Sequence, residues 1–302
     1  VTDSSTVLVE GPWQHRFVPA NGSRFHVALA GPEHEDTPLV VLLHGLPQMW
    51  WTWRHQVPVL ADAGFRVAAM DLRGCGASDK PPQGYDVPTL CRDVAGVIRS
   101  LGAHDAVVVG QGIGGVVAWS MAALQPEHTR AVGAVAAPHP ARMHTGAAAR
   151  PLLTRGTARR LAFFQLPWFP ERRLTRGDLA TRLLAEWGAP GWPAPEVAAM
   201  YRAAMQVPFA AHSAMEMVRW LVRSTPRPDG QRYLAAVRDP VRVPALQVHG
   251  TADRCVPPAV VGHRRHGSPA TFERLPGVGH FPTEEAPGEV AAILVEWLRG
   301  LD

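Results

Sequence analysis

The run from Ala106 to Pro126 carries no charged residue, and it limits the fold more than any other stretch of the chain. Its 21 residues are long enough to cross a bilayer. However, Gly110, Gly112, Gly114 and Gly115 cluster with Gln111 in its first half. Before the glycines stands the apolar segment Asp105-Ala-Val-Val-Val109, and after them Val116–Leu124 has the composition of a buried helix. The run therefore reads as strand, tight turn and helix rather than as a membrane span.

The same alternation recurs along the chain. Strands are expected at His15–Pro19, Phe25–Ala30, Leu39–Leu43, Arg66–Met70, Ala106–Val109, Ala131–Ala136, Ala245–His249 and Thr271–Arg274. Helices are expected at Trp53–Ala63, Val87–Leu101, Val116–Leu124 and Pro287–Leu298. Strands alternating with helices point to a mainly parallel α/β sheet. Asn21-Gly22 between the first two strands favours an antiparallel hairpin there. From about 142 to 238 the pattern changes: strand signals vanish, and Asp178–Trp187, Ala194–Gln206 and Phe209–Arg223 have helical apolar spacing. The expected division is a core over 1–141, a helical insert over 142–238 and the rest of the core over 239–302.

Composition narrows the function classes. Hydrophobic residues at 46% and charged residues at 19% exclude a disordered chain. A formal net charge of +4, without aromatic residues interleaved among basic runs, argues against nucleic acid. Lys80 is the only lysine, which leaves almost no candidate for Schiff-base chemistry. Cys75, Cys91 and Cys255 fit no metal-ligand spacing and read as reduced, cytoplasmic thiols. The N-terminal residues have no basic and apolar regions of a signal peptide. Between Gly146 and Arg182 eight arginines face only Glu171 and Asp178. That patch is either a solvated helix face or a surface for an anionic ligand or a membrane, the latter a peripheral contact.

The glycine turn fits two patterns. Gly110-Gln-Gly-Ile-Gly-Gly115 matches G-x-G-x-x-G, the dinucleotide fingerprint. That fingerprint expects a carboxylate at the end of the following strand, which here ends Ala136-Ala137-Pro138-His139. NAD(P) binding is therefore a weak alternative. The same residues match a nucleophile elbow, G-x-Nuc-x-G, with Gly112 at the nucleophile position.

Four further segments bear on that choice. They are His44-Gly45-Leu46-Pro47; Asp71-Leu-Arg-Gly-Cys-Gly-Ala-Ser-Asp-Lys-Pro81; Gly250-Thr-Ala-Asp253-Arg-Cys-Val-Pro257; and Gly277-Val-Gly-His280-Phe281 with Glu285 and Pro287. In this order they resemble the motifs of the α/β-hydrolases, and most closely the epoxide-hydrolase branch. The resemblance covers nearly the whole chain. It implies an α/β-hydrolase fold: a mostly parallel eight-stranded sheet flanked by helices, with the insert as a helical cap. It also implies roles. His280 would be the general base, Asp253 its orienting acid, and the Leu46 and Ile113 backbone N–H groups the oxyanion hole. His44, Phe163, Phe164, Trp168 and Met217 would border a pocket for a small apolar, ester-like or epoxide-like molecule. Neither metal nor cofactor is implied.

The chain departs from that family in three places. Gly112 stands where Asp or Ser is expected, and it has no side chain with which to attack. The two segments that resemble the family's tyrosine-bearing cap segments, Arg160–Pro167 and Ala214–Trp220, hold no tyrosine; Tyr201 lies in another segment and reads as helix packing. Ile113 occupies the position of the halide-binding Trp of haloalkane dehalogenases. Cys75 and Cys255 are the only substitute nucleophiles near the site, and Cys255 is expected to point away. Two main functions remain: hydrolysis driven by a His280–Asp253 dyad without covalent catalysis, or a catalytically silent homologue that binds a ligand or partner.

Overall fold

A computed structural model describes residues 3–34, 37–143, 150, 154–239, 241–261 and 270–301. Eight strands form one sheet: β1 (Gln14–Ala20), β2 (Ser23–Ala30), β3 (Leu39–Leu43), β4 (Arg66–Met70), β5 (Ala106–Gln111), β6 (Thr129–Val135), β7 (Ala245–Gly250) and β8 (Ala270–Leu275). Their spatial order is β1-β2-β4-β3-β5-β6-β7-β8. β1 and β2 form the expected hairpin, Ala20 pairing with Ser23 around Asn21-Gly22. Both turn residues have positive φ, 44° and 74°, as a two-residue hairpin turn requires. β2 also runs antiparallel to β4, and every other pairing is parallel. Pro19, which has no N–H for a ladder, lies on the edge strand β1.

The sheet is covered on both faces, which is why its central strands are apolar throughout. Side chains alternate across a strand. Val40 and Leu42 of β3 accordingly join one apolar cluster with Leu60, Val290 and Leu294. Val41 and Leu43 join the other, with Leu90 and Val94 of helix α2 (Val87–Ser100) and Val117 and Met121 of helix α3 (Ile113–Leu124). Helix α1 (Gln56–Asp62) and the C-terminal helix Pro287–Arg299 cover the first face. Asp86 caps α2 by accepting a bond from the Thr89 N–H at 2.8 Å.

The uncharged run resolves as anticipated into β5, a turn and α3. Among the described residues no helix is long and apolar enough to cross a membrane. α3 starts at Ile113, earlier than the expected Val116. Gly114 and Gly115 disfavour helix by propensity, but this turn has no room for side chains. A Cβ on Gly114 would lie 2.6 Å from the Leu43 and His44 carbonyl oxygens, and one on Gly110 would lie 2.1 Å from the Gly114 carbonyl. That backbone-on-backbone approach accounts for the glycine pattern without a nucleotide.

Between β6 and β7 the described residues form helices and no strand. The three expected there are present at Leu179–Trp187, Pro195–Gln206 and Ala210–Arg223. Four more among the described residues, Pro140–Met143, Arg155–Phe164, Phe169–Thr175 and Pro228–Ala236, are short. Their local propensity is poor, and tertiary contact stabilises them.

The turn offers a direct test of this packing. Gly110→Ala should cost about 3 kcal/mol or abolish folding, because both clashing partners are backbone. Gly288→Ala, where a Cβ meets nothing within 4 Å, should leave the urea midpoint unchanged or slightly raised. Equal effects of the two substitutions would contradict the close-packing account.

Candidate active site

A tight bend follows β5. Gly112 has φ 53° and ψ −118°, a conformation that strains any residue with a Cβ. Its N–H donates to the Val135 carbonyl at 3.0 Å, and its own carbonyl accepts from the Val116 N–H at 3.1 Å. A Cβ built on Gly112 would meet only the Gly45 Cα and the His280 Nε2, each at 3.5 Å. Position 112 therefore faces the imidazole directly.

Asp253, after β7, and His280, after β8, are 4% and 5% exposed. His280 Nδ1 lies 2.8 Å from Asp253 Oδ2. The other carboxylate oxygen, Oδ1, accepts from the Cys255 and Val256 N–H groups, both at 2.8 Å. The carboxylate is thus oriented by backbone, and it holds the ring with Nε2 toward Gly112. Among the described residues the backbone N–H groups of Leu46 and Ile113 make no hydrogen bond, and the Cys255 side chain is a second hydrogen-bond neighbour of the His280 ring beside Asp253. Two backbone donors around the turn are left unspent.

Glu285 fixes the loop that carries His280. Its Oε2 accepts from the Gly279 and Ala189 N–H groups, and its Oε1 from the Phe281 N–H, all at 2.8 Å. Ala189 belongs to the helical insert, so one carboxylate ties the insert to the His280 loop. Trp187 does the same twice. Its carbonyl accepts from the His280 N–H at 3.0 Å, and its ring meets the imidazole edge-on at 5.6 Å. A buried polar chain runs alongside. Gln111 Nε2 donates to Gln48 Oε1 at 2.9 Å, and Gln48 Nε2 to Glu284 Oε1 at 2.7 Å. Glu284 also binds Arg54 at 2.9 Å and the Tyr201 hydroxyl. Burial raises the Glu284 carboxyl above its ordinary range, although Arg54 and Tyr201 pull the other way.

A family model described as the α/β-hydrolase fold matches residues 38–287. The chain belongs to the α/β-hydrolase family. It is 32% identical over 289 residues to AB hydrolase superfamily protein YfhM of Bacillus subtilis, with 94% of this chain and 97% of that protein covered. It is 30% identical over 332 residues to Epoxide hydrolase A of Mycobacterium tuberculosis, with 95% and 98% covered. The crystal structure of Epoxide Hydrolase A from Mycobacterium thermoresistibile superposes with a TM-score of 0.77 at 28% identity, covering 96% of this chain and 99% of that one. This α/β-hydrolase therefore has epoxide-hydrolase-like relatives along nearly its whole length.

Within this α/β-hydrolase, Gly112, His280, Asp253, Leu46 and Ile113 come together at the C-terminal ends of β3, β5, β7 and β8. His44 lies beside them but is sealed in the turn. Its Nδ1 is 2.8 Å from the Gly45 carbonyl, and its Nε2 accepts from the Leu72 N–H at 3.1 Å. Only a neutral ring protonated on Nδ1 makes both bonds, and burial lowers its pKa accordingly, against the pull of Asp71. His44 is thus a brace between loops and not a pocket wall. Met217 is buried in the apolar cluster that contains Ile113. Phe163 and Phe164 line a cleft of the insert. Trp168 departs from expectation: it is 54% exposed and stacked on Phe169 at 4.3 Å, beside an outer groove with Phe209. Its backbone is left-handed (φ 49°).

Three further readings change. Tyr201 does more than pack a helix, since its hydroxyl reaches Glu284 across the insert–core boundary. Cys255, expected to point away, lies close enough to His280 to raise its pKa. Cys75 is fully buried, and burial pushes its thiol up to about 12. Gln48, Trp187 and Glu284 escaped the sequence reading, and Glu285 was noted there without a role. The adjacent acids Glu284-Glu285, so near His280, were the available signal.

Burial alone would lower the His280 pKa, but Asp253 and Cys255 outweigh it and hold the pKa well above its ordinary value. A folded-state pKa above the unfolded one means the pair's stabilisation is full below about pH 6.5 and fades as pH rises through the folded value. In Asp253→Asn the His280 imidazole resonance should titrate at clearly lower pH, and an unmoved midpoint would show that the carboxylate does not set it. Glu285→Ala leaves three backbone donors unpaired and should cost about 3 kcal/mol in urea unfolding. A loss under about 0.5 kcal/mol would mean that water replaces the carboxylate.

Proposed function

We propose that this protein is a hydrolase of the epoxide-hydrolase-like type that works without a covalent intermediate, His280 activating water directly. The 3.5 Å approach of a hypothetical Cβ at position 112 to His280 Nε2 carries this reading. The space a nucleophile would fill lies against the base, and a water there has Nε2 as acceptor. His280 removes a proton from that water as its oxygen attacks. Asp253 keeps the ring in the tautomer with Nε2 free and stabilises the imidazolium that forms. The Leu46 and Ile113 N–H groups hold the developing oxyanion.

The tyrosines narrow the electrophile. Opening an epoxide calls for an acid on the departing oxygen. Tyr201 is bonded to Glu284, Tyr233 is 2.9 Å from Ser120, and Tyr85 bonds Pro81 and accepts from Ser213 at 2.8 Å. All three hydroxyls are engaged. A carbonyl electrophile needs no such acid for the attack step, so small apolar esters are the favoured substrates and epoxides poor ones. The helices between β6 and β7 serve as the cap over this site, with 142–238 as its extent.

On a panel of small esters, His280→Ala should lower kcat/KM at least ~100-fold. Because the base form appears only above the raised pKa, the rate should climb with pH and level off at an inflection above about 6.5. Gly112→Ser should form an acyl-enzyme with an activated small ester, seen by mass spectrometry. If native turnover is absent and that acyl-enzyme forms in Gly112→Ser, the chain is a silent binding homologue instead. A native rate indifferent to His280→Ala would remove the dyad mechanism altogether.

A further inference from the structure

The helical insert holds a second feature, away from Gly112. A cleft of about 390 Å³ is bordered by Arg159, Arg160, Arg173 and Arg182, with Phe163, Phe164, Leu179 and Leu183 among its apolar lining. This size falls within the range of small-molecule sites. Of the four guanidinium groups, Arg160 is paired with Glu186 at 2.9 Å and Arg173 with Asp178 at 3.2 Å. Neither Arg159 nor Arg182 makes an ion pair or a side-chain hydrogen bond among the described residues. Glu186 is the only acid of the lining. The rim is therefore cationic in excess, over an apolar floor in which Phe164, Leu179 and Leu183 are each no more than 9% exposed.

We propose that this cleft binds an amphiphilic monoanion, a carboxylate head on a medium-length alkyl chain. The chain lies on Phe163, Phe164, Leu179 and Leu183, and the head is held by Arg159 and Arg182. Arginine suits this role because its planar fork meets a carboxylate through two parallel bonds. A purely apolar ligand leaves the two guanidinium groups without a partner. A small hydrophilic anion leaves the floor wet. Only a ligand with both parts uses the whole cleft. The site also touches the dyad's surroundings: Arg160 sits 5.3 Å from the Trp187 ring centroid, and Trp187 meets His280 edge-on. Binding is independent of the hydrolytic reading, since neither Arg159 nor Arg182 belongs to the His280 site.

Calorimetric titration with sodium decanoate, below its micelle-forming concentration, tests the proposal on the whole chain. Decanol and acetate serve as the tail-only and head-only probes. Decanoate should bind at least tenfold more tightly than either. The double variant Arg159→Glu/Arg182→Glu, both positions exposed, should weaken decanoate at least tenfold with an unchanged melting temperature. His280→Ala should leave it unaffected, so a failure of the hydrolytic reading stays separate from a failure here. Equal binding of decanol, equal binding of acetate, or indifference to the double charge reversal would each overturn the site. So would arginine-dependent binding to phosphatidylglycerol vesicles without binding of free decanoate, which would make the patch a membrane contact.

Discussion

The close contact between the β5 turn and the end of β3 governs both the fold and the site. Gly110, Gly114 and Gly115 let α3 leave the sheet at a distance that admits no side chain between backbones. That approach brings the first free N–H of α3, on Ile113, beside the loop that presents Leu46, and it projects position 112 toward His280. A wider turn would separate the donors from the imidazole. The glycine spacing is thus a steric requirement of the turn, and the polar geometry around it follows.

The second requirement is to hold a histidine rigid on a loop. Loops are the mobile part of most folds, and this one is braced from three sides. Asp253 fixes one ring nitrogen, Trp187 takes the main-chain N–H, and Glu285 collects three more N–H groups. Two of these braces reach into the helical insert. Insert and site are therefore mechanically linked, and Tyr201 on Glu284 adds a third connection. Burying these carboxylates and main-chain groups is tolerable because each finds a partner, whereas the buried Trp187 Nε1 has none among the described residues; an unpaired group costs about 1–3 kcal/mol. The unspent donors around Gly112 stand out against that background.

Electrostatics separates the histidines by role. His44 is equally buried, but its two hydrogen bonds require the neutral ring, so burial prevails. His280 faces a carboxylate whose remaining lone pairs are occupied by backbone, and there the charge prevails over burial. Similar solvent exclusion yields opposite pKa shifts because the partners differ.

Much of this architecture could be read in the residues. The eight strands, the Asn21-Gly22 hairpin and three helices of the insert follow from periodicity and turn chemistry, which are local. Gly112, Asp253 and His280 were nameable because they sit in motifs with fixed spacing. The short Arg-rich helices, the outward swing of Trp168, the nearness of Cys255 to His280 and the bonds of Glu284 and Glu285 were not legible. Each depends on residues distant in the chain meeting in space. A side chain's direction and its partners are set by packing, and sequence order does not encode which loop ends lie together. Hence the chain's pattern dictated the sheet and the glycine turn through position 112, whereas the bracing of His280 was decided by contact between insert and core, and the cationic cleft by the packing of insert helices on one another.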